Sequence, residues 1–341
     1  MSEATSGPPP WPASLGRVRP WLVHYLAWDG ATTRQAWIVL PSGWGPTSRP
    51  APAPLVISPH GRNNLGWSNA VTYWQNLPGD GRFILVCPDG LGRAHDRATD
   101  PYDQPPSDAG LFSYGYPKEI DDLARMPQIV EATLPWLRVD RERVYALGSS
   151  MGGQETLLLA ARYPHALASG TGRLAGAAAF DAPCDLAAQC AYLTHAAMTV
   201  EGNPPGVAAL MLEEVGAKPA DTAGFNRGAR FYDRKTKTQT TIGQLLDELP
   251  RDQLLWSERS PLGYAHTLAA LPFPLRIYWS SADTVVGNQA TEQSGKLYTQ
   301  IKAANASADV EQVKGAWAHS TEFVPDAELG QALAALGLIG V

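Results

Sequence analysis

Residues 143–153 of this 341-residue chain decide the fold, and they read Arg-Val-Tyr-Ala-Leu-Gly-Ser-Ser-Met-Gly-Gly. A short apolar run ends in the pattern Gly-x-Ser-x-Gly, and a helix-forming run, residues 154–162, follows at once. A strand, a sharp turn and a helix hold such a serine on a strained backbone with its hydroxyl exposed above a sheet. Only Ser150 has glycines two positions before and two positions after it. Ser150, and not its neighbour Ser149, is therefore the predicted nucleophile.

Apolar runs elsewhere predict strands that alternate with helices. Two runs joined by Asp29-Gly30 predict an antiparallel hairpin. Short apolar runs predict buried central strands at residues 54–58, 82–87 and 174–181, and further strands are predicted at residues 275–280 and 309–314. Apolar periodicity predicts helices at residues 68–76, 119–137, 288–304 and 326–336. This order favours the α/β class, with a mostly parallel central sheet and helices on both of its faces.

Changes in amino-acid composition and in apolar pattern along the chain predict its domain organisation. Residues 1–19 are rich in Pro, Ser and Gly and predict an N-terminal arm, whereas residues 20–341 predict one α/β domain. Residues 184–258 contain short helical segments with polar breaks, which predict a helical insertion that covers the sheet like a lid. The loop at residues 91–117 is unusually long, and loops of this length are often functional.

The composition describes an ordinary globular protein, with 44% hydrophobic residues, 18% charged residues and a net charge of −6. No basic stripe is present, so we expect no nucleic-acid partner. We also expect no signal peptide and no membrane partner, because the sequence has neither a basic, apolar leader nor a long apolar run. Three scattered cysteines, Cys87, Cys184 and Cys190, fit a reduced cytoplasmic protein, and whether Cys184 pairs with Cys190 stays open.

A serine nucleophile needs a base to accept its proton and an acid to orient that base. When a nucleophile sits on such an elbow, the chain order is nucleophile, acid, histidine. Of the four histidines after Ser150, His319 follows the last predicted strand, and we predict that it is the base. The others lie away from strand ends: His165, His195 and His266. Asp283 follows a core strand and is the predicted acid, with Asp181 as the rival acid or a pocket-lining residue.

The oxyanion that forms during acyl transfer needs two backbone N–H donors. The first is predicted to be the amide of Met151, the residue after the nucleophile. The second is predicted in the loop after the first buried strand, where the Arg62 amide is preferred and the Gly61 amide is the alternative. His60 is predicted to hold this loop by hydrogen bonds. No histidine or cysteine has a metal-ligand spacing, so we expect neither a metal nor a cofactor.

The combined pattern resembles the α/β-hydrolase superfamily, and within it the serine hydrolases of the prolyl-oligopeptidase catalytic-domain and esterase/depolymerase type. The matching stretches are residues 54–61, 148–153, 260–265, 275–283 and 317–319. The resemblance implies the α/β-hydrolase fold and cleavage of a carboxylic ester through an acyl-enzyme. A serine peptidase or amidase with the same triad stays open, as does, more remotely, a non-catalytic ligand-binding protein. Prolyl oligopeptidases carry a large β-propeller for which this chain has no room, which weakens the peptidase alternative.

The expected partner is a small ester or peptide-like molecule, and neither its acyl group nor the oligomeric state is predicted. Several side chains are candidates to line its pocket, although a structural role is the more common one for residues of these types. They are Trp67, Trp74, Tyr114, Tyr116, Asp181 and Trp317.

Overall fold

The computed structural model describes most of the sheet and its helices. The described residues are 20–31, 33–41, 44–47, 51–61, 65–70, 83–89, 115–189, 192, 230–233, 238–241, 244, 257–319 and 326–339. Several predictions fall outside these ranges, namely those on residues 1–19, most of the 91–117 loop, Arg62, Trp74, Tyr114, Cys190 and His195.

Eight strands of the described part form one sheet. They are β1 (Trp21–Leu26), β2 (Thr33–Val39), β3 (Ala53–Ile57), β4 (Ile84–Pro88), β5 (Val139–Ser149), β6 (Leu174–Phe180), β9 (Leu275–Ser280) and β10 (Val310–Gly315). The order across the sheet is β1-β2-β4-β3-β5-β6-β9-β10. The β1–β2 and β2–β4 pairs are antiparallel, and all later neighbours are parallel. The predictions of an N-terminal hairpin and a mostly parallel sheet are confirmed.

Helices of the described part pack on both faces of this sheet. They are α1 (Gly66–Ser68), α2 (Pro117–Ala124), α3 (Met126–Thr133), α4 (Met151–Arg162), α5 (Ala265–Leu268), α6 (Ser294–Ala304) and α7 (Asp326–Ala335). In one buried cluster the five helices from α2 through α6 pack on one face of the sheet. In a second cluster α1 and α7 pack on the other face. Successive residues of β5 alternate between the clusters, since Val144 and Ala146 join the first while Tyr145 and Leu147 join the second.

Two predicted helices differ from the observed ones for local reasons. The helix predicted over residues 119–137 is divided at Arg125 into α2 and α3, because Pro127 lacks an N–H and fits only the first turn of a helix. The helix predicted to begin at residue 288 begins at Ser294, since Asn288 has a φ of 55° and starts a turn instead.

The connection from β6 to β9 contains the predicted insertion. Within its described part, β7 (Arg230–Asp233) and β8 (Thr238–Thr241) form a two-stranded antiparallel sheet. This hairpin departs from the expectation of a helical insertion, and its cause is the run of β-branched threonines in β8, which favours extended backbone. The role of the insertion as a lid stays a prediction.

A buried group of charges joins the hairpin to the helices on one face. Arg34 of β2 lies with Nη1 2.5 Å from Glu119 Oε2 and 3.0 Å from Asp122 Oδ2. Asp122 Oδ1 also accepts a hydrogen bond from Arg125 at 2.9 Å. Burial raises the pKa of Asp122 from 3.8 to about 6, against the opposing effect of the two arginines. This carboxyl group therefore titrates in a mildly acidic range.

Two further predictions concern the cysteines and the membrane. Cys87 and Cys184 are buried free thiols, and burial raises the pKa of Cys184 to about 12. In the described ranges, each helix is too short or too polar to reach across a bilayer.

Candidate active site

The carboxyl ends of four neighbouring strands, β5, β6, β9 and β10, lie side by side and bring the candidate residues together. Ser150 follows β5, Asp181 follows β6, Asp283 lies three residues after β9, and His319 lies four residues after β10. Because parallel strands all end at the same edge of a sheet, residues far apart in sequence meet there.

The turn at Ser150 has the geometry expected of a nucleophile elbow. Ser150 has φ 55° and ψ −127°, a region that side chains rarely adopt, and its N–H donates to Phe180 O at 2.8 Å. The flanking glycines are required by close backbone contacts. A Cβ on Gly148 would lie 2.4 Å from Gly152 O, and a Cβ on Gly152 would lie 2.1 Å from Pro59 O.

Hydrogen bonds link the candidate nucleophile, base and acid in one chain. His319 Nε2 lies 2.9 Å from Ser150 Oγ, and His319 Nδ1 lies 2.8 Å from Asp283 Oδ2. The side chains of His319 and Asp283 are only 4% and 0% exposed. A carboxylate at Nδ1 keeps the proton on that nitrogen, so Nε2 is the acceptor that faces the serine hydroxyl.

The Asp283 carboxylate is held by three further donors. Its Oδ1 accepts N–H hydrogen bonds from Val285 at 2.8 Å and Val286 at 2.9 Å. Its Oδ2, the oxygen that faces the imidazole, also accepts from Gln289 Nε2 at 3.1 Å. The sequence does not predict this role of Gln289, because a glutamine in a loop six residues after the acid belongs to no motif or periodic pattern.

Asp181 lies beside this chain and does not replace Asp283 as its acid. Its Oδ1 accepts from the Ser280 N–H and its Oδ2 accepts from the Trp317 indole Nε1, both at 2.8 Å. Polar atoms of Asp181, Asp283 and His319 lie within 4.8 Å of one another, the one such group of metal-ligating side chains in the described residues. Within this group His319 Nδ1 bonds Asp283, whereas the Asp181 oxygens accept from Ser280 and Trp317.

One predicted oxyanion donor, the Met151 amide, directly follows the same serine. Met151 is the first residue of α4, so its N–H has no intrahelical acceptor. The contact of Gly152 with Pro59 brings the loop of His60 and Gly61 against the start of this helix. His60 is 2% exposed, and its Nδ1 donates to Gly61 O at 2.7 Å, as expected of a residue that holds the loop. Arg62 lies outside the described residues.

The predicted pocket residues occupy different surroundings. Trp67 is 7% exposed and packs in the second core cluster. Tyr116 is half-buried before α2, with the Arg259 guanidinium 4.9 Å from its ring centre. Trp317 lies near the base, as described above. The rival histidines His165 and His266 are exposed and outside the group.

Two residues at the start of the insertion, Gln189 and Tyr192, contact the loop that carries Asp283. Gln189 Nε2 donates to Val285 O at 2.7 Å, and the Tyr192 hydroxyl donates to Thr284 O at 3.1 Å. The Tyr192 ring also lies against Gly287, where a Cβ would come within 2.2 Å of it. Residues at both ends of this contact were not predicted, since nothing in the sequence pairs them.

Comparisons with known proteins agree with this geometry. The esterase family model matches residues 31–170, from the hairpin to just past the elbow helix. A comparison with curated proteins finds no match. Among solved structures, the acylaminoacyl peptidase of Pyrococcus horikoshii is similar, with a TM-score of 0.58 and 14% identity, over 94% of this chain and 42% of that chain.

Two smaller enzymes match over their whole length. The S-formylglutathione hydrolase of Agrobacterium tumefaciens has a TM-score of 0.55 at 14% identity, over 97% of this chain and 100% of that chain. The fluorophosphonate-binding serine hydrolase F of Staphylococcus aureus has a TM-score of 0.55 at 12% identity, over 94% and 99%. By contrast, the chain spans only 42%, 38% and 36% of three similar peptidase chains. The chain therefore has the α/β-hydrolase fold, and Ser150, His319 and Asp283 lie within it in the order and geometry of a Ser-His-Asp triad.

Proposed function

We propose that this chain is a serine hydrolase that cleaves carboxylic esters through an acyl-enzyme intermediate. The observation that carries the proposal is the continuous hydrogen-bond chain from Ser150 Oγ through His319 to Asp283. The strained turn that exposes the serine and the helix N-terminus behind it support the same chemistry. The match to the esterase family model over residues 31–170 favours an ester as the substrate class.

The first half of the proposed reaction forms the acyl-enzyme. Ser150 Oγ attacks the ester carbonyl carbon while its proton passes to His319 Nε2, and the carbonyl electron pair moves onto oxygen. The imidazolium is stabilised by Asp283 through its Nδ1–H. The Met151 amide donates to the oxyanion, with a second donor from the loop that begins at Gly61. The tetrahedral species then collapses, and the departing alkoxide takes the proton from His319 Nε2.

The second half releases the acid. Water attacks the acyl carbon and gives its proton to His319 Nε2, so a second oxyanion forms at the same donors. Collapse breaks the bond to Ser150 Oγ, which regains the proton from the imidazole. The products are a carboxylic acid and an alcohol, and the residues return to their starting protonation states.

A fluorophosphonate probe tests the nucleophile directly, because it phosphonylates only an activated serine. We expect Ser150→Ala to abolish labelling and hydrolysis of short-chain nitrophenyl esters. Ser149→Ala is the matched control, since Ser149 is the adjacent serine, is 1% exposed and belongs to β5. Equal labelling of the wild type and Ser150→Ala would overturn the assignment.

A peptidase is the second candidate, supported by the similarity to acylaminoacyl peptidase. The two functions differ in the leaving group. A peptidase releases an amine, which must be protonated as it departs, whereas an esterase releases an alkoxide, which can depart before it is protonated. Rates on nitrophenyl esters and on aminoacyl nitroanilides, both corrected by Ser150→Ala, separate them. Preferential turnover of the anilides would favour the peptidase.

The proposal includes a small-molecule ester as the partner and a cytoplasmic location. The buried free thiols of Cys87 and Cys184 support a reducing compartment, and the net charge of −6 is unfavourable for binding nucleic acid. Fractionation of the source cells tests the location, and detection of the chain outside the cytoplasmic fraction would contradict it.

A further inference from the structure

Asp181 forms a link between the two loops that carry the acid and the base. One carboxylate oxygen accepts from the Ser280 N–H, at the end of β9 and three residues before the acid. The other accepts from the Trp317 indole, two residues before the base. Asp181 is fully buried and adopts a φ of 45°, a backbone conformation in which Asp and Asn are enriched. A buried carboxylate between two loops fixes the distance between them.

Trp317 is held at three points. Its indole N–H donates to Asp181, its carbonyl oxygen accepts from the Ser280 hydroxyl, and its ring lies over Gly315. A Cβ on Gly315 would fall 1.7 Å from the ring, so only glycine leaves space for the indole there. Trp317 is therefore fixed at both its side chain and its main chain, and only Ala318 separates it from His319.

We infer that Asp181 is a positioning residue for the base and acts through Trp317. The inference rests on the proposed chemistry at Ser150. The Asp181–Trp317 hydrogen bond sets the loop so that His319 reaches both Ser150 Oγ and Asp283 Oδ2. The Asp181 carboxylate also lies within 4.8 Å of the imidazole and so places a second negative charge beside the imidazolium formed in the reaction.

Few ionisable groups face the imidazole in the described residues. Asp181 and Asp283 lie beside it, and Tyr192 lies near Asp283, whose charge adds to burial in raising the pKa of that phenol. The hydroxyl of Tyr192 stays neutral across the range in which a histidine titrates. A change in the acid limb of the rate profile after substitution at Asp181 therefore reports the Asp181 charge.

The test uses three variants of the full chain: Asp181→Asn, Trp317→Phe and the double variant. Asn tolerates a positive φ, so the first keeps the backbone of residue 181 and removes the charge. In the second variant, Phe keeps an aromatic ring at position 317, removes the N–H donor together with part of the indole, and leaves the Asp181 carboxyl group in place. The readout is the second-order rate of fluorophosphonate labelling from pH 5 to 9, with the thermal midpoint as the folding control.

Each variant has its own expected result. Trp317→Phe should label about 10-fold more slowly at every pH, the effect of losing one hydrogen bond to a charged group. Asp181→Asn should label about 100-fold more slowly, and the midpoint of its acid limb should move about one pH unit lower. The double variant should be no slower than Asp181→Asn, because an Asn whose oxygen accepts from the Ser280 N–H turns its NH₂ toward Trp317 and already lacks the hydrogen bond that Trp317→Phe removes.

Three results would overturn the inference: labelling of Asp181→Asn at the wild-type rate, an unshifted acid limb in that variant, or fully additive losses in the double variant. Failure of the proposed function gives a different pattern. If the wild type labels but hydrolyses no ester, the ester assignment fails and the positioning test still stands. If the wild type does not label, the triad itself fails.

Discussion

Substitution of Asp283 by Asn tests whether the acid sets the proton position on the base. Asp283 Oδ1 accepts two backbone N–H bonds, so the Asn carbonyl oxygen takes that place and keeps both bonds. The amide NH₂ then falls where Oδ2 lay, facing His319 Nδ1. Gln289 adapts by turning its amide oxygen inward, whereas the imidazole must move its proton from Nδ1 to Nε2. In that tautomer Nε2 donates to Ser150 and cannot accept its proton.

The magnitude follows from this tautomer exchange. A wrong histidine tautomer in a serine triad lowers kcat by about 10⁴-fold, which corresponds to about 5.5 kcal/mol of activation free energy. Stability should change little, by about 1 kcal/mol, because the two backbone hydrogen bonds persist. For a chain of this size we expect the thermal midpoint to fall by about 2 °C.

The assay combines the acylation burst with nitrophenyl acetate and the rate of fluorophosphonate labelling. Asp309→Asn is the matched control, since Asp309 is 58% exposed and precedes β10 at the opposite edge of the sheet. That variant should keep wild-type acylation. Retention of more than about one-tenth of the wild-type acylation rate by folded Asp283→Asn would refute the role of the acid, since the exchange described above allows far less.

The elbow and the buried charges give two further expectations. Gly152→Ala should slow labelling by about 100-fold and destabilise the fold by about 1–3 kcal/mol, because its Cβ would meet Pro59 O at 2.1 Å. Gly330→Ala in α7 is the control and should leave the labelling rate and the stability unchanged, since a Cβ there has nothing within 4 Å. Equal labelling rates and equal urea unfolding of the two variants would contradict this expectation. Asp122, with its pKa raised from 3.8 to about 6, holds its proton more tightly when folded, so its contribution to stability is present below about pH 4 and is lost as the pH rises to about 6. As the pH rises over that interval, the free energy of unfolding measured in urea should fall by up to about 3 kcal/mol less for Asp122→Asn than for the wild type. If the unfolding free energies of the two proteins change with pH in parallel, the assignment is disproved.

The features that could be predicted from the sequence are those set by local pattern. Nearly continuous apolar runs mark β3 and β9, since central parallel strands are buried on both faces. The Asp29-Gly30 turn marks the hairpin, and the paired glycines mark Ser150. Each of these depends on residues close together in the chain, so the printed order of residues is sufficient to find them.

The remaining features depend on contacts between distant segments. Gln289 reaches Asp283 from a turn, and Trp317 reaches Asp181 across 136 positions. Neither contact leaves a repeat or a spacing in the sequence. The same holds for Asn288, whose left-handed backbone shortens α6 although the surrounding residues favour a helix. Chain order could place Asp283 and His319 at strand ends, but only the folded sheet shows how their side chains are supported.

The packing of Gln189 and Tyr192 on the acid loop bears on how this protein can be re-engineered. Exchange of the whole β6–β9 connection for that of another hydrolase would remove two side chains that support the main chain of Thr284 and Val285. A graft that keeps residues 184–192 and joins the foreign segment after them retains this support. Changes in the remainder of the connection then leave the contacts that support the Asp283 loop in place.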